Sequence, residues 1–176
     1  MSTDPLLTSD FAEALLATQT GSQAPATLRF DATRTGLAFG GTVPAVRVYA
    51  FGPASLARHW HPGFPTPAQL EYAIAAVEDE LMRVHRHCGP PPSLASAVCP
   101  DPEPRALAAS LGLPGSGRVQ LLREAVEHGF GRLAACAEGR PSDSGGLPQD
   151  TNGMALLLIL RELMHHLPLA ALELPA

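Results

Sequence analysis

His59-Trp60-His61 is the stretch whose residue types and spacing most directly suggest chemistry. On extended backbone the two imidazoles project to one side, roughly 7 Å apart at the backbone, within reach of a single ion. Two ligands do not complete a site. The segment His85-Arg86-His87-Cys88 offers more, because His85 and Cys88 are three residues apart and share a helix face. A His/His/His/Cys set suits a divalent transition metal such as zinc. Competing accounts exist for each pair. Cys88 falls four residues after Val84 and extends an apolar seam, as a small buried hydrophobe would. Histidines and arginines at a helix end answer the helix dipole without any metal. Pro62 and Pro65 suggest a loop in which Trp60 tucks inward and His59 and His61 face water.

Gly115-Ser116-Gly117-Arg118 is a glycine-containing turn expected to run into a helix start. That geometry presents free N–H groups to an anion, with Arg118 as a bidentate partner. It matches no phosphate-loop pattern, and a plain turn capped by Ser116 explains the same residues. Glu162 and His166 are spaced i to i+4, which reads either as a carboxylate orienting a ligand or as an ordinary surface contact; the spacing alone favours the contact. Glu124 and His128 read the same way. The serines at 55, 93, 96, 110, 142 and 144 lie outside any G-x-S-x-G context. Cys99, within a proline-rich stretch, is the thiol expected to be most exposed.

Composition removes several classes of function. The chain has 176 residues, 45% hydrophobic and 16% charged, and a net charge of -5. All twelve basic residues are arginines, so a Schiff-base lysine and a phosphate-loop lysine are both excluded. Asparagine occurs once (Asn152) and isoleucine twice (Ile74, Ile159), a bias that points to a GC-rich, bacterial genome. Dispersed arginines on an acidic chain leave no basic stripe for nucleic acid. No positive n-region precedes Arg29, and the longest apolar run, Met154 to Leu160, is far short of the roughly 20 residues a membrane span needs. Three unpaired cysteines suit a reducing cytoplasm.

The elements that would position these residues follow from periodicity. A helix is expected to start near Ser9 or Asp10 and stop at Gly21. Alternation with a period of two in "TLRFD", "GLAFG" and "AVRVYAFG" predicts three short antiparallel strands between about 26 and 51. Thr66-Pro67-Ala68-Gln69 is a capping box with proline at the first helical position, followed by a seam of Leu70, Ile74, Val77, Leu81 and Val84. Six prolines between 89 and 104 predict a linker or arm. Helices are then expected from Pro104 to Leu111, from Ser116 to about Gly139, and from Asp150 or Thr151 onward, with a mobile loop at 138–150. In the last helix Met154 to Leu160 is apolar on all sides, so it must be covered all round by its own domain or by another copy.

These expectations describe one α+β domain, residues 1–176, in which a short three-stranded antiparallel sheet packs with four to five helices and the helices dominate. The low charge and the lack of an assembled catalytic motif favour a cytoplasmic interaction or accessory protein, homo-oligomeric or with a protein partner. The alternative is a metal-binding protein or metal-dependent enzyme using His59 and His61.

Overall fold

Alternating side chains between Ala26 and Tyr49 do form an antiparallel meander, and the sheet continues beyond it. The computed structural model describes residues 10–20, 26–41, 45–89, 92, 94–113, 115–140 and 146–176. In chain order the elements are α1 (Asp10–Thr20), β1 (Ala26–Phe30), β2 (Thr35–Phe39), β3 (Ala45–Tyr49), α2 (Pro53–Ala57), α3 (Pro67–Cys88), β4 (Ser96–Val98), α4 (Pro102–Ser110), β5 (Val119–Leu122), α5 (Arg123–Ala137), α6 (Thr151–His166) and β6 (Ala171–Leu174).

The expected three-stranded antiparallel sheet is therefore corrected to a six-stranded mixed sheet, ordered β3-β2-β1-β4-β6-β5. β1 and β2 pair antiparallel, as do β2 and β3, while β4 lies parallel to β1 and β6 parallel to β4. β5 closes the far edge, antiparallel to β6. Each added strand escaped the periodicity for a physical reason. β4 is three residues long and sits inside the proline-rich stretch expected to be an arm. β6 starts three residues after Pro168 and has four residues, too few to show alternation. In β5 the spacing of Val119, Leu122 and Val126 imitates a helical seam, so the helix expected from Ser116 begins at Arg123 instead.

Helix α6 is the axis of the core. Met154 to Leu160 are all at most 1% exposed, and α2, α3, α4 and α5 pack around the helix. Burial within one chain thus accounts for the all-round apolar character without a second copy. Helix α1 covers the meander from its other face, where Gly36 lets it approach: a Cβ built there would come within 2.6 Å of Phe11 and Leu15. Helix α3 starts as its capping box requires, with Thr66 N–H donating to Gln69 Oε1 at 2.9 Å and Gln69 N–H to Thr66 Oγ1 at 3.3 Å. Part of the loop expected to be mobile, 141–145, and residues 90, 91 and 93 of the expected arm lie outside the described residues. Among the described residues no helix is long and apolar enough to cross a membrane.

Candidate functional site

Strand β1 hands its chain to β2 on one side, and β4 hands its chain through α4 toward β5 on the other. In open sheets with parallel strands, ligands bind outside the carboxyl ends of the strands at such a point of divergence. Those ends are held together here by Asp101, which accepts from Arg29 Nε and from Phe30 N–H, both at 2.6 Å. Asp101 is the residue before α4, yet its carboxylate makes no cap to that helix because it is committed to β1.

The turn after β1 is preorganised. Asp31 Oδ1 accepts from the N–H groups of Thr33 (2.8 Å) and Arg34 (2.6 Å), and Oδ2 accepts from Arg34 Nε at 2.7 Å. A carboxylate that caps its own turn in this way fixes the local backbone. Partial burial alone would raise the Asp31 pKa, but the hydrogen bonds from Thr33 and Arg34 and the Arg34 charge outweigh it and hold the carboxyl below its ordinary value of 3.8. Arg34 also lies over the Phe11 ring, 4.8 Å from its centre. From the other side the segment entering α2 presses against the turn. A Cβ on Gly52 would stand 2.5 Å from the Asp31 carbonyl oxygen and 2.7 Å from the Thr33 and Arg34 nitrogens, and Ser55 N–H donates to the Ala32 carbonyl at 3.1 Å.

Asp31, Glu103 and Asn152 line a cavity of about 210 Å³ outside these strand ends. It adjoins a larger one of about 410 Å³ through Pro53, Glu103 and Asn152, so the two form one groove running along the start of α6 past Asp150. The N-termini of α4 and α6 open toward it, and their positive dipole ends partly offset its carboxylates. Asp150 caps α6 by accepting from Gly153 N–H at 2.8 Å. Among the described residues Glu103 has no hydrogen bond or ion pair, which leaves its carboxylate available to a ligand or a water.

His59 and His61 are exposed while Trp60 is buried at 8%. His59 Nε2 accepts from Arg58 Nε at 2.8 Å, and its ring meets Tyr72 edge-on with centres 6.1 Å apart. Its carbonyl accepts from Gln69 Nε2 at 2.7 Å, so the loop is built to deliver the chain into α3. Cys88 is exposed and its carbonyl accepts from Arg47 at 3.5 Å. Among the described residues one group of three possible ligands has its ligand atoms within 4.8 Å of one another, Glu78, Glu162 and His166, and it contains none of His59, His61, His85 and Cys88. The turn Gly115-Ser116-Gly117-Arg118 leads into strand β5 and presents no helix start; its Gly115 and Gly117 carbonyls accept from Arg105 at 2.8 and 2.7 Å. Arg118 approaches Glu173 at 3.8 Å.

Asp31, Glu103 and Asn152 carried no conspicuous motif. The signal available for Asp31 was an aspartate closing an alternating strand and followed by Ala-Thr-Arg-Thr-Gly, the composition of a self-capped turn. For Asn152 it was the lone asparagine in a chain otherwise without it.

Comparison with family models finds no match, and comparison with curated proteins finds none. Solved structures do share the fold. The chain is similar to the Aquifex aeolicus PPX-GPPA enzyme at 15% identity and a TM-score of 0.65, over 92% of this chain and 56% of that one. The type II crystal structure of the Aquifex aeolicus Ppx/GppA phosphatase gives 13% identity and 0.63, with the same coverage. An exopolyphosphatase from Cytophaga hutchinsonii gives 9% and 0.61, over 93% of this chain and 58% of that one. This chain thus spans a little over half the length of those proteins. The expectation of an accessory protein, drawn from the lack of an assembled motif, is corrected by this likeness: the fold is one that enzymes of the Ppx/GppA type use, and the groove residues are dispersed along the sequence, where no motif could announce them.

Proposed function

We propose that this chain is a phosphatase acting on phosphoanhydrides, with the groove beyond β1 and β4 as its phosphate site. The observation that carries the proposal is the preformed Asp31 turn, which faces the same groove as Glu103 and Asn152 at the point where the sheet's connections diverge. The fold shared with the Ppx/GppA phosphatase and the exopolyphosphatase supports it.

The groove is lined by carboxylates, which repel a phosphate chain unless a cation lies between them. Its donors are oxygens only, a set that fits a hard divalent ion such as magnesium, which takes one or two carboxylates together with substrate phosphates. Asp31 would hold such an ion together with substrate phosphates, and when bound it would neutralise charge on the phosphoryl oxygens. The chain's own groups then have separate tasks. Asn152 donates its amide N–H to a phosphate oxygen, and the α6 dipole favours the same negative charge. Glu103 accepts the proton of the attacking water. The oxygen of that water bonds to the terminal phosphorus, the bond from phosphorus to the bridging oxygen breaks, and the shortened chain leaves with the electron pair. The Thr33 N–H, with the Arg34 guanidinium and N–H, keeps Asp31 ionised and aimed.

Calorimetric titration of pyrophosphate tests the site. Binding is expected with magnesium present, to be weak without it, and to weaken about tenfold or more in Asp31→Asn. Equal binding with and without magnesium, or no loss in Asp31→Asn, would remove the groove from the account.

A further inference from the structure

The group Glu78, Glu162 and His166 lies some ten to fourteen residues along α6 from Asn152, about 15–21 Å at helical rise, so it is separate from the groove. Glu162 and His166 sit one turn apart on α6, and Glu78 faces them from α3. Glu162 is fully buried. Its Oε1 accepts from Arg161 Nη1 at 2.5 Å, and Arg161 is itself held by Glu127 at 3.4 Å and by the Phe130 ring. Its Oε2 has no hydrogen-bond partner and points at His166 Nε2, 3.7 Å away. The same Nε2 lies 3.4 Å from Glu78 Oε1.

A buried carboxylate oxygen left without a partner is a cost that native structures rarely carry. The spacings explain it. At 3.4 and 3.7 Å these atoms are farther apart than well-formed hydrogen bonds of roughly 2.7–3.2 Å. Ligands of a tetrahedral ion with bonds of about 2.05 Å stand about 3.3–3.4 Å apart, close to the two separations from His166, and all three ligand atoms lie within 4.8 Å of one another. Glu78 and His166 are 46% and 25% exposed, which leaves solvent access for a fourth ligand. Two carboxylates and an imidazole also place two negative charges around the ion.

We propose that Glu78, Glu162 and His166 form a binding site for a divalent transition ion of the zinc class, joining α3 to α6 and completed by water. This site stands independently of the phosphate groove. Arg161 acts as a positioning residue: by occupying Oε1 it turns Oε2 toward the ion.

The test is zinc titration of the untagged full chain, with thermal unfolding and metal content as readouts. Wild type is expected to bind one equivalent and to unfold at a higher temperature with zinc. Because Glu78 is half exposed, Glu78→Ala keeps the fold and is expected to lose affinity about tenfold or more, as is His166→Ala. His59→Ala/His61→Ala is expected to bind as wild type does, and Asp31→Asn likewise. Cobalt in place of zinc is expected to give the intense visible absorption of a tetrahedral site. No zinc stabilisation of wild type, equal stabilisation of Glu78→Ala and His166→Ala, or loss confined to the His59/His61 variant would each overturn the proposal.

Discussion

Asp101 Oδ1 receives Arg29 Nε at 2.6 Å, joining the carboxyl end of β4 to β1 where the two strands' connections part. The pair is asymmetric, since the aspartate side chain is 6% exposed and the arginine 37%. Removing Asp101 strands the Phe30 N–H as well as the guanidinium, whereas removing Arg29 leaves Asp101 its bond to Phe30. Asp101→Ala is therefore expected to lose roughly 2–3 kcal/mol of unfolding free energy in urea, and Arg29→Ala less than half of that. Equal losses would show that the ion pair, not the backbone bond, sets the crevice.

Gly52 is required by close approach and not by its torsion, which is ordinary extended backbone at φ -147. An added Cβ would press on the backbone of residues 31–34, which cannot yield as a flexible side chain does. Gly52→Ala is expected to displace the Asp31 turn, lowering magnesium-dependent pyrophosphate affinity. Gly131→Ala in α5, with open space around its Cβ position and no left-handed torsion, serves as a control that leaves that affinity as in wild type.

Because the fold holds Asp31 ionised below its ordinary value of 3.8, folding favours the charged form. The stability this contributes is present above pH 3.8 and is lost as pH falls through the lower, folded-state value. The difference in thermal midpoint between wild type and Asp31→Asn is expected to be greatest near neutrality and to close in acid. A gap that is constant down to pH 3 would mean that the Asp31 carboxylate contributes shape and not charge.

Thiol labelling separates the cysteines. Cys99, expected from its proline-rich surroundings to be exposed, is 1% exposed, and burial together with the neighbouring Asp101 carboxylate pushes its thiol pKa far up. It is expected to resist iodoacetamide in the folded chain and react after denaturation, while exposed Cys88 reacts at once. Prompt labelling of Cys99 would contradict the central placement of β4.

What could be read from the residues was local. The Thr66 capping box, the α3 seam, the Asp150 start of α6 and the three meander strands each involve residues within a few positions of one another. β4 and β6 are strands because parallel neighbours receive them, with Ser96 to Val98 set against Ala171 to Glu173, and segments of three and four residues carry no period of their own. The groups that the structure brings together were hidden in the same manner. His59 and His61 are two residues apart and conspicuous, yet their loop serves α3, while Glu78 meets His166 across 88 residues. Asp31, Glu103 and Asn152 likewise belong to three different elements, and only the sheet's topology gathers them.

Phosphate release from linear polyphosphate tests the central claim most directly. With magnesium, the chain is expected to release inorganic phosphate steadily, chelation is expected to stop it, and Asp31→Asn and Glu103→Gln are each expected to slow it about 100-fold or more while remaining folded. Absence of magnesium-dependent release by folded wild type, or wild-type rates in both variants, would contradict the account.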